Sequence, residues 1–257
     1  MLERRRPVVD SSTNSKNTRV KPIFSWLSTN GGKSWPARLV QLATGFAEAT
    51  NCGTLTRMAL DPEQEVPPTP SRLAWMIKNV DLLAPRDGRQ WRILRDRVSD
   101  PDAVQKALKS LERGDVADIP RKLQLEGKTH ADCLIECEHA FVWIEGKRFD
   151  WLSPSTDWDI SRDQIARNLE ACWSLASEAG KDYRLIICHE HRLKHHEARL
   201  LEGYRQATWF AGWPHVPDEQ RREFAARIGT LTWQEIAQEW PGLRTLPELN
   251  DLTPMTA

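Results

Sequence analysis

The chain has 257 residues, and 36 Lys and Arg balance 36 Asp and Glu to a formal net charge of zero. That balance excludes a protein that grips nucleic acid by bulk positive charge, though not one with a local basic groove. Hydrophobic residues at 40% and charged residues at 28% match ordinary globular usage, and twelve Trp against two Tyr point to a well-packed interior without naming a function.

In chain order, residues 1–22 are polar and basic (Arg4, Arg5, Arg6), with no apolar block behind them, and read as a mobile tail rather than a secretory signal. Pro36, Leu39, Val40 and Phe46 predict a helix over 36–50. Four prolines in 61–70 mark a linker or surface loop. Helices are expected over 71–83, with Ser71 as cap, and over 89–98. Asp100 and Pro101 open a further helix through Val104, Leu108 and Leu111 that Gly114 ends. Three strand-like runs follow at 121–125, 132–137 and 140–149, then a helix over 161–179 stopped by Gly180, then a strand at 183–188. Residues 191–205 and 217–240 read as helical.

The expected division is a tail (1–22), an N-terminal helical region (23–99), an α/β core (100–190) and a C-terminal helical extension (191–257). No stretch approaches the ~18 apolar residues of a membrane span. Five cysteines without a dense framework suggest reduced thiols and a cytoplasmic setting.

Chemistry concentrates on 130–147. In a strand alternate residues share a side, so Glu145 and Lys147 point the same way, and Gly146 between them allows close approach to the backbone. Asp132 opens the preceding strand, and a tight hairpin brings it beside Glu145. Two carboxylates without His suit Mg²⁺ or Mn²⁺, which can polarise a phosphoryl oxygen and acidify a water. A neighbouring Lys can orient that water or stabilise charge on phosphorus. Apolar residues on both sides of 141–149 predict a strand covered on both faces, where a charged pair needs a reason.

Asp132…Glu145-Gly146-Lys147 resembles the Asp…(Asp/Glu)-x-Lys signature of the PD-(D/E)XK, or restriction-endonuclease-like, nuclease superfamily. The order helix, three strands, helix, strand resembles its core, a central mixed sheet flanked by helices, and covers roughly residues 100–190. Ala131 stands where the proline of the family name would be. The resemblance implies metal ligation by Asp132, Glu145 and the Gly146 backbone carbonyl, and a catalytic Lys147. It also implies a supporting Gln164 on the following helix and an accessory acidic residue on the first helix, for which Glu112 is the candidate. Arg167 and Asn168 share the helical stripe of Gln164 and are expected to contact substrate. The implied function is a metal-dependent nuclease acting on nucleic acid, most simply DNA. The alternative is an inactive binding or assembly module of the same fold. The terminal extensions would supply substrate grip or a homodimer contact.

Rival features carry less. Glu126-Gly127-Lys128 echoes the motif but lacks a following strand and an acidic partner, and reads as a turn. Gly31-Gly32-Lys33-Ser34 ends like a phosphate loop, but Leu27 stands where the first glycine is needed. His191 and His195 lie one helical turn apart near Cys188, His189 and His196 without HExxH or CxxC spacing, and read as solvated helix residues. Arginines 86, 89, 92, 95 and 97 form a basic stretch, offset by Asp87 and Asp96, that reads as an exposed helix face.

Overall fold

A computed structural model describes residues 15–47, 51–60, 65–149, 152, 156, 158–206 and 213–252. A turn of π-helix (Lys16–Val20) leads into α1 (Lys21–Asn30) and α2 (Trp35–Leu42); β1 (Leu55–Ala59) and the two-residue β2 (Glu65–Val66) follow. Three helices come next: α3 (Pro70–Lys78), α4 (Gly88–Arg97) and α5 (Pro101–Glu112). The chain then forms β3 (Thr129–His130), β4 (Cys133–Cys137), β5 (Ala140–Gly146), α6 (Gln164–Ala179) and β6 (Asp182–His189). It closes with α7 (Lys194–Arg205), α8 (Asp218–Ala226), β7 (Ile228–Thr232) and α9 (Trp233–Glu239).

The central sheet has five strands in the order β1-β4-β5-β6-β7. β4 runs antiparallel to β1 and to β5, while β5, β6 and β7 run parallel. Alternation along β5 explains its complete burial: Val142 and Ile144 join a core with α1, α2 and α9, whereas Phe141 and Trp143 join a second core with α6 and α8. The result is a mixed α/β sandwich with helices on both faces.

Helix starts follow local chemistry. Asp100 accepts from the Ala103 amide at 3.1 Å with Pro101 just inside, and Asp163 accepts from the Ala166 amide at 2.8 Å. Gly180 ends α6 in the left-handed region, at φ 63°.

Helices α3–α5, which come between β1 and β4 in the sequence, enclose a third core. A buried ionic cluster joins it to α6. Arg72 reaches Glu126 at 3.1 Å and Asp159 at 3.0 Å; Arg162 reaches Glu126 at 2.8 Å and Glu170 at 2.9 Å; His215 meets Glu170 at 2.9 Å.

Several expectations need correction. Residues 121–125 are no strand: Arg121–Leu123 is a 3-10 turn, because Leu123 and Leu125 both plunge into the third core. The first sheet strand is β1, so the sheet draws outer strands from 55–59 and 228–232, beyond the 100–190 span. The span 217–240 is not one helix; β7 divides it, with Phe46 packed over Gly229, which leaves no room for a side chain there. Of the expected tail, 1–14 lie outside the described residues, but 15–22 are helical. Arg19 is buried, bonded to Glu190 at 2.8 Å, Asp251 at 2.6 Å and the Glu248 carbonyl at 3.0 Å, so the charge that suggests a tail is what docks it.

Candidate active site

Glu145 comes one residue before the end of β5 and is 3% exposed. A carboxylate so placed needs partners. Lys147 Nζ lies 2.8 Å from Glu145 Oε1, and Gln164 Nε2 donates to the same oxygen at 2.7 Å. Asn168 Nδ2 donates to Oε2 at 2.7 Å. Lys147 Nζ also donates to Gln164 Oε1 at 3.0 Å, closing a ring of three side chains. Gln164 and Asn168 stand one turn apart at the start of α6, which aims both at one carboxylate. That start is held by Asp163, which accepts from the Tyr204 hydroxyl as well as from the helix. Burial pushes the Asp163 carboxyl up, and the Tyr204 hydrogen bond works against that push.

Asp132 lies one step beyond the Cys133–Ile144 pair, at the end of the hairpin that Glu145 shares. Its Oδ2 accepts from the Gly146 amide at 2.8 Å. The Gly146 carbonyl accepts from Ser15 Oγ at 2.9 Å. A side chain at 146 would overlap Val20 and press on Trp233, so the glycine answers to the close packing of the N-terminal turn and α9. The backbone of Lys147 is clamped on both sides: its amide donates to the Cys188 carbonyl at 2.7 Å, and its carbonyl accepts from Trp233 Nε1 at 2.8 Å.

The cluster therefore stands at the carboxyl ends of three parallel strands, where open α/β sheets gather ligands. Lys147 keeps 15% exposure, so the ammonium reaches the surface that Glu145 does not. Burial drives the Cys133 and Cys188 thiols far up, with the nearby Asp132 charge adding to it. Both are neutral at pH 7 and serve neither as nucleophiles nor as soft ligands.

The donor set decides what cation could bind. Among the described residues no group of three or more His, Cys, Asp and Glu could hold a metal ion. The oxygens at hand are the Asp132 and Glu145 carboxylates and the Gly146 carbonyl, which keeps a second lone pair beside the Ser15 bond. Mg²⁺ uses one or two carboxylates together with waters and substrate phosphates, so this hard-oxygen set fits Mg²⁺ or Mn²⁺ and not Zn²⁺.

Of the residues expected from sequence, Asp132, Glu145, Gly146, Lys147, Gln164 and Asn168 come together. Asn168 corrects its expected role: at 2% exposure it holds Glu145 and cannot touch substrate. Arg167 turns away, donating to the Gly127 and Lys128 carbonyls at 3.2 Å. Glu112 is exposed on α5, because the buried stripe of that helix runs through Ala107, Leu108 and Leu111 and passes it by. The 126–128 echo is a bend, yet Glu126 is buried in the ionic cluster rather than solvated. Ser15, Tyr204 and Trp233 support the site from distant parts of the chain. The Trp excess hints at the last; nothing local marks the other two.

Comparison with family models, with curated proteins and with solved structures returns no match.

Proposed function

We propose that the chain is a metal-dependent nuclease of the PD-(D/E)XK type, hydrolysing phosphodiester bonds, most simply of DNA. The observation that carries this reading is the convergence of Asp132, Glu145, Lys147 and Gln164 at the end of the β4–β5 hairpin, beside the first turn of α6. The strand order supports it as well: β4, which Asp132 precedes, is antiparallel to β5, and β5, which carries Glu145 and leads into Lys147, runs parallel to β6 and β7.

Asp132, Glu145 and the Gly146 carbonyl would hold Mg²⁺, which when bound supplies Lewis-acid polarisation of a phosphoryl oxygen. Lys147 has the other task. Its Nζ is fixed by Glu145 and Gln164, so the remaining N–H can orient the attacking water and stabilise charge growing on the phosphoryl oxygens. Gln164 keeps the ammonium and the carboxylate in register. Asn168 occupies the second oxygen of Glu145, Oε2, and fixes its rotamer.

The test is cleavage of linear, circular and single-stranded DNA, and of RNA, with Mg²⁺ or Mn²⁺. Cleavage that chelation stops and that Lys147→Ala reduces about a hundredfold or more is expected. No cleavage of any substrate, or full activity of Lys147→Ala, rejects the reading. One observation favours the second reading, an inactive binding module: both oxygens of Glu145 are already engaged by Lys147, Gln164 and Asn168. Nucleic-acid binding that ignores chelation and survives Asp132→Ala would mark that module.

A further inference from the structure

Two residues after Lys147 the chain presents Phe149, a large apolar ring left 47% exposed. Its surroundings are cationic. The guanidinium carbons of Arg148 and Arg192 each lie 4.7 Å from the ring centroid. Arg192 is tied down by a 2.7 Å bond from Nη2 to the Arg148 carbonyl. Arg148 is paired with Asp251 at 2.9 Å, whereas Arg192 is exposed and, among the described residues, has no carboxylate partner. Further acids stand nearby: Glu190 lies 3.9 Å from Arg148, and Glu235 lies 3.5 Å from Lys194 at the start of α7.

Resting on the nuclease reading, we propose that Phe149 and Arg192 form a stacking platform for an unpaired base, so that the substrate is single-stranded or locally opened DNA. The exposed Arg192 guanidinium, stacked over the ring, offers its outer plane to a base and positive charge to the phosphates, the combination by which proteins hold single strands. A base inside a duplex is already stacked on its neighbours and cannot lie on this platform without being drawn out. The platform also lies near the site along the chain, since two residues span at most about 7 Å between Lys147 and Phe149.

The experiment measures binding without cleavage. Fluorescence anisotropy in EDTA follows a labelled oligothymidylate and its duplex with oligoadenylate on the full chain. Tighter binding of the single strand is expected, with a loss of about tenfold or more in Phe149→Ala, the same loss in Phe149→Leu, and retention in Phe149→Trp. Arg192→Ala weakens the single strand and flattens its salt dependence. Duplex preference, or unchanged single-strand affinity in Phe149→Ala and Phe149→Leu, overturns the platform. The two ideas fail separately. Metal-dependent cleavage with no Phe149 effect removes the platform and leaves the nuclease reading, while Phe149-dependent binding without any cleavage keeps the platform and removes the nuclease reading.

Discussion

Two of the places where the molecule buries carboxylates are built differently. In the ionic cluster, Glu126, Asp159 and Glu170 face Arg72 and Arg162, so planar forks meet planar acceptors and the group closes on itself. At the end of β5, Glu145 faces one Lys and two amides, and the Lys reaches the surface. The first arrangement welds the third core to α6; the second holds a single ammonium, with one N–H to spare, at the carboxyl ends of the parallel strands. Burial of an acid therefore says little about function, whereas the kind of cation beside it says more. An Arg fork is rigid and always charged, while a Lys ammonium is a point charge that can be redirected.

The largest effect belongs to the closed cluster. Arg162→Met leaves Glu126 and Glu170 without their shared partner and should lower the unfolding free energy by about 3–5 kcal/mol in a urea titration. Acid should find the same weakness. Burial alone raises the Glu126 and Glu170 carboxyls, but the facing guanidinium groups outweigh it and hold both below the ordinary range. A carboxylate depressed on folding stabilises fully above its unfolded pKa of ~4.3 and loses that contribution progressively as pH falls from there through its lower folded pKa. Stability should therefore fall on acidification below about pH 4.5, and less steeply in Arg162→Met.

Next in size is the packing at the open end. Gly146→Ala places a methyl against Val20 and should cost about 1–3 kcal/mol, a loss that Val20→Ala partly restores. Absence of rescue would show that the N-terminal turn does not press on β5. Glu145→Gln should cost less, below about 2 kcal/mol, because Lys147 can turn to water, yet it should abolish cleavage. An Arg162→Met protein that loses stability and a Glu145→Gln protein that loses activity would separate the two regions cleanly.

Sequence reasoning was strongest where spacing is local. The β4–β5 hairpin, α6 with its Gly180 stop, and the shared direction of Glu145 and Lys147 follow from periods of two and 3.6 and from capping chemistry. It failed where tertiary contact overrides local pattern. Leu123 and Leu125 alternate as in a strand but are drawn into a helical core, and β1 had too weak a pattern to be seen without its partner β4. Arg19 was illegible for another reason: its anchors, Glu190 and Asp251, lie far along the chain. Glu112 follows Val104 and Leu108 in steps of four, but such steps drift around a helix of 3.6 residues per turn, and the buried face continues through Leu111 instead.

The smallest effect tests the closest contact. Ser15→Ala removes the hydroxyl that donates to the Gly146 carbonyl and should cost about 1 kcal/mol or less, the usual net contribution of a part-buried neutral hydrogen bond. Its value lies in what it does to a cation. If the carbonyl is a ligand, the hydroxyl draws electron density from the same oxygen, so Mn²⁺ measured by calorimetry should bind Ser15→Ala as tightly as the wild type or more tightly. If the hydroxyl itself were the ligand, the variant would bind more weakly. The sign of a small change thus distinguishes a site that uses the β5 backbone from one that uses the docked N-terminal turn.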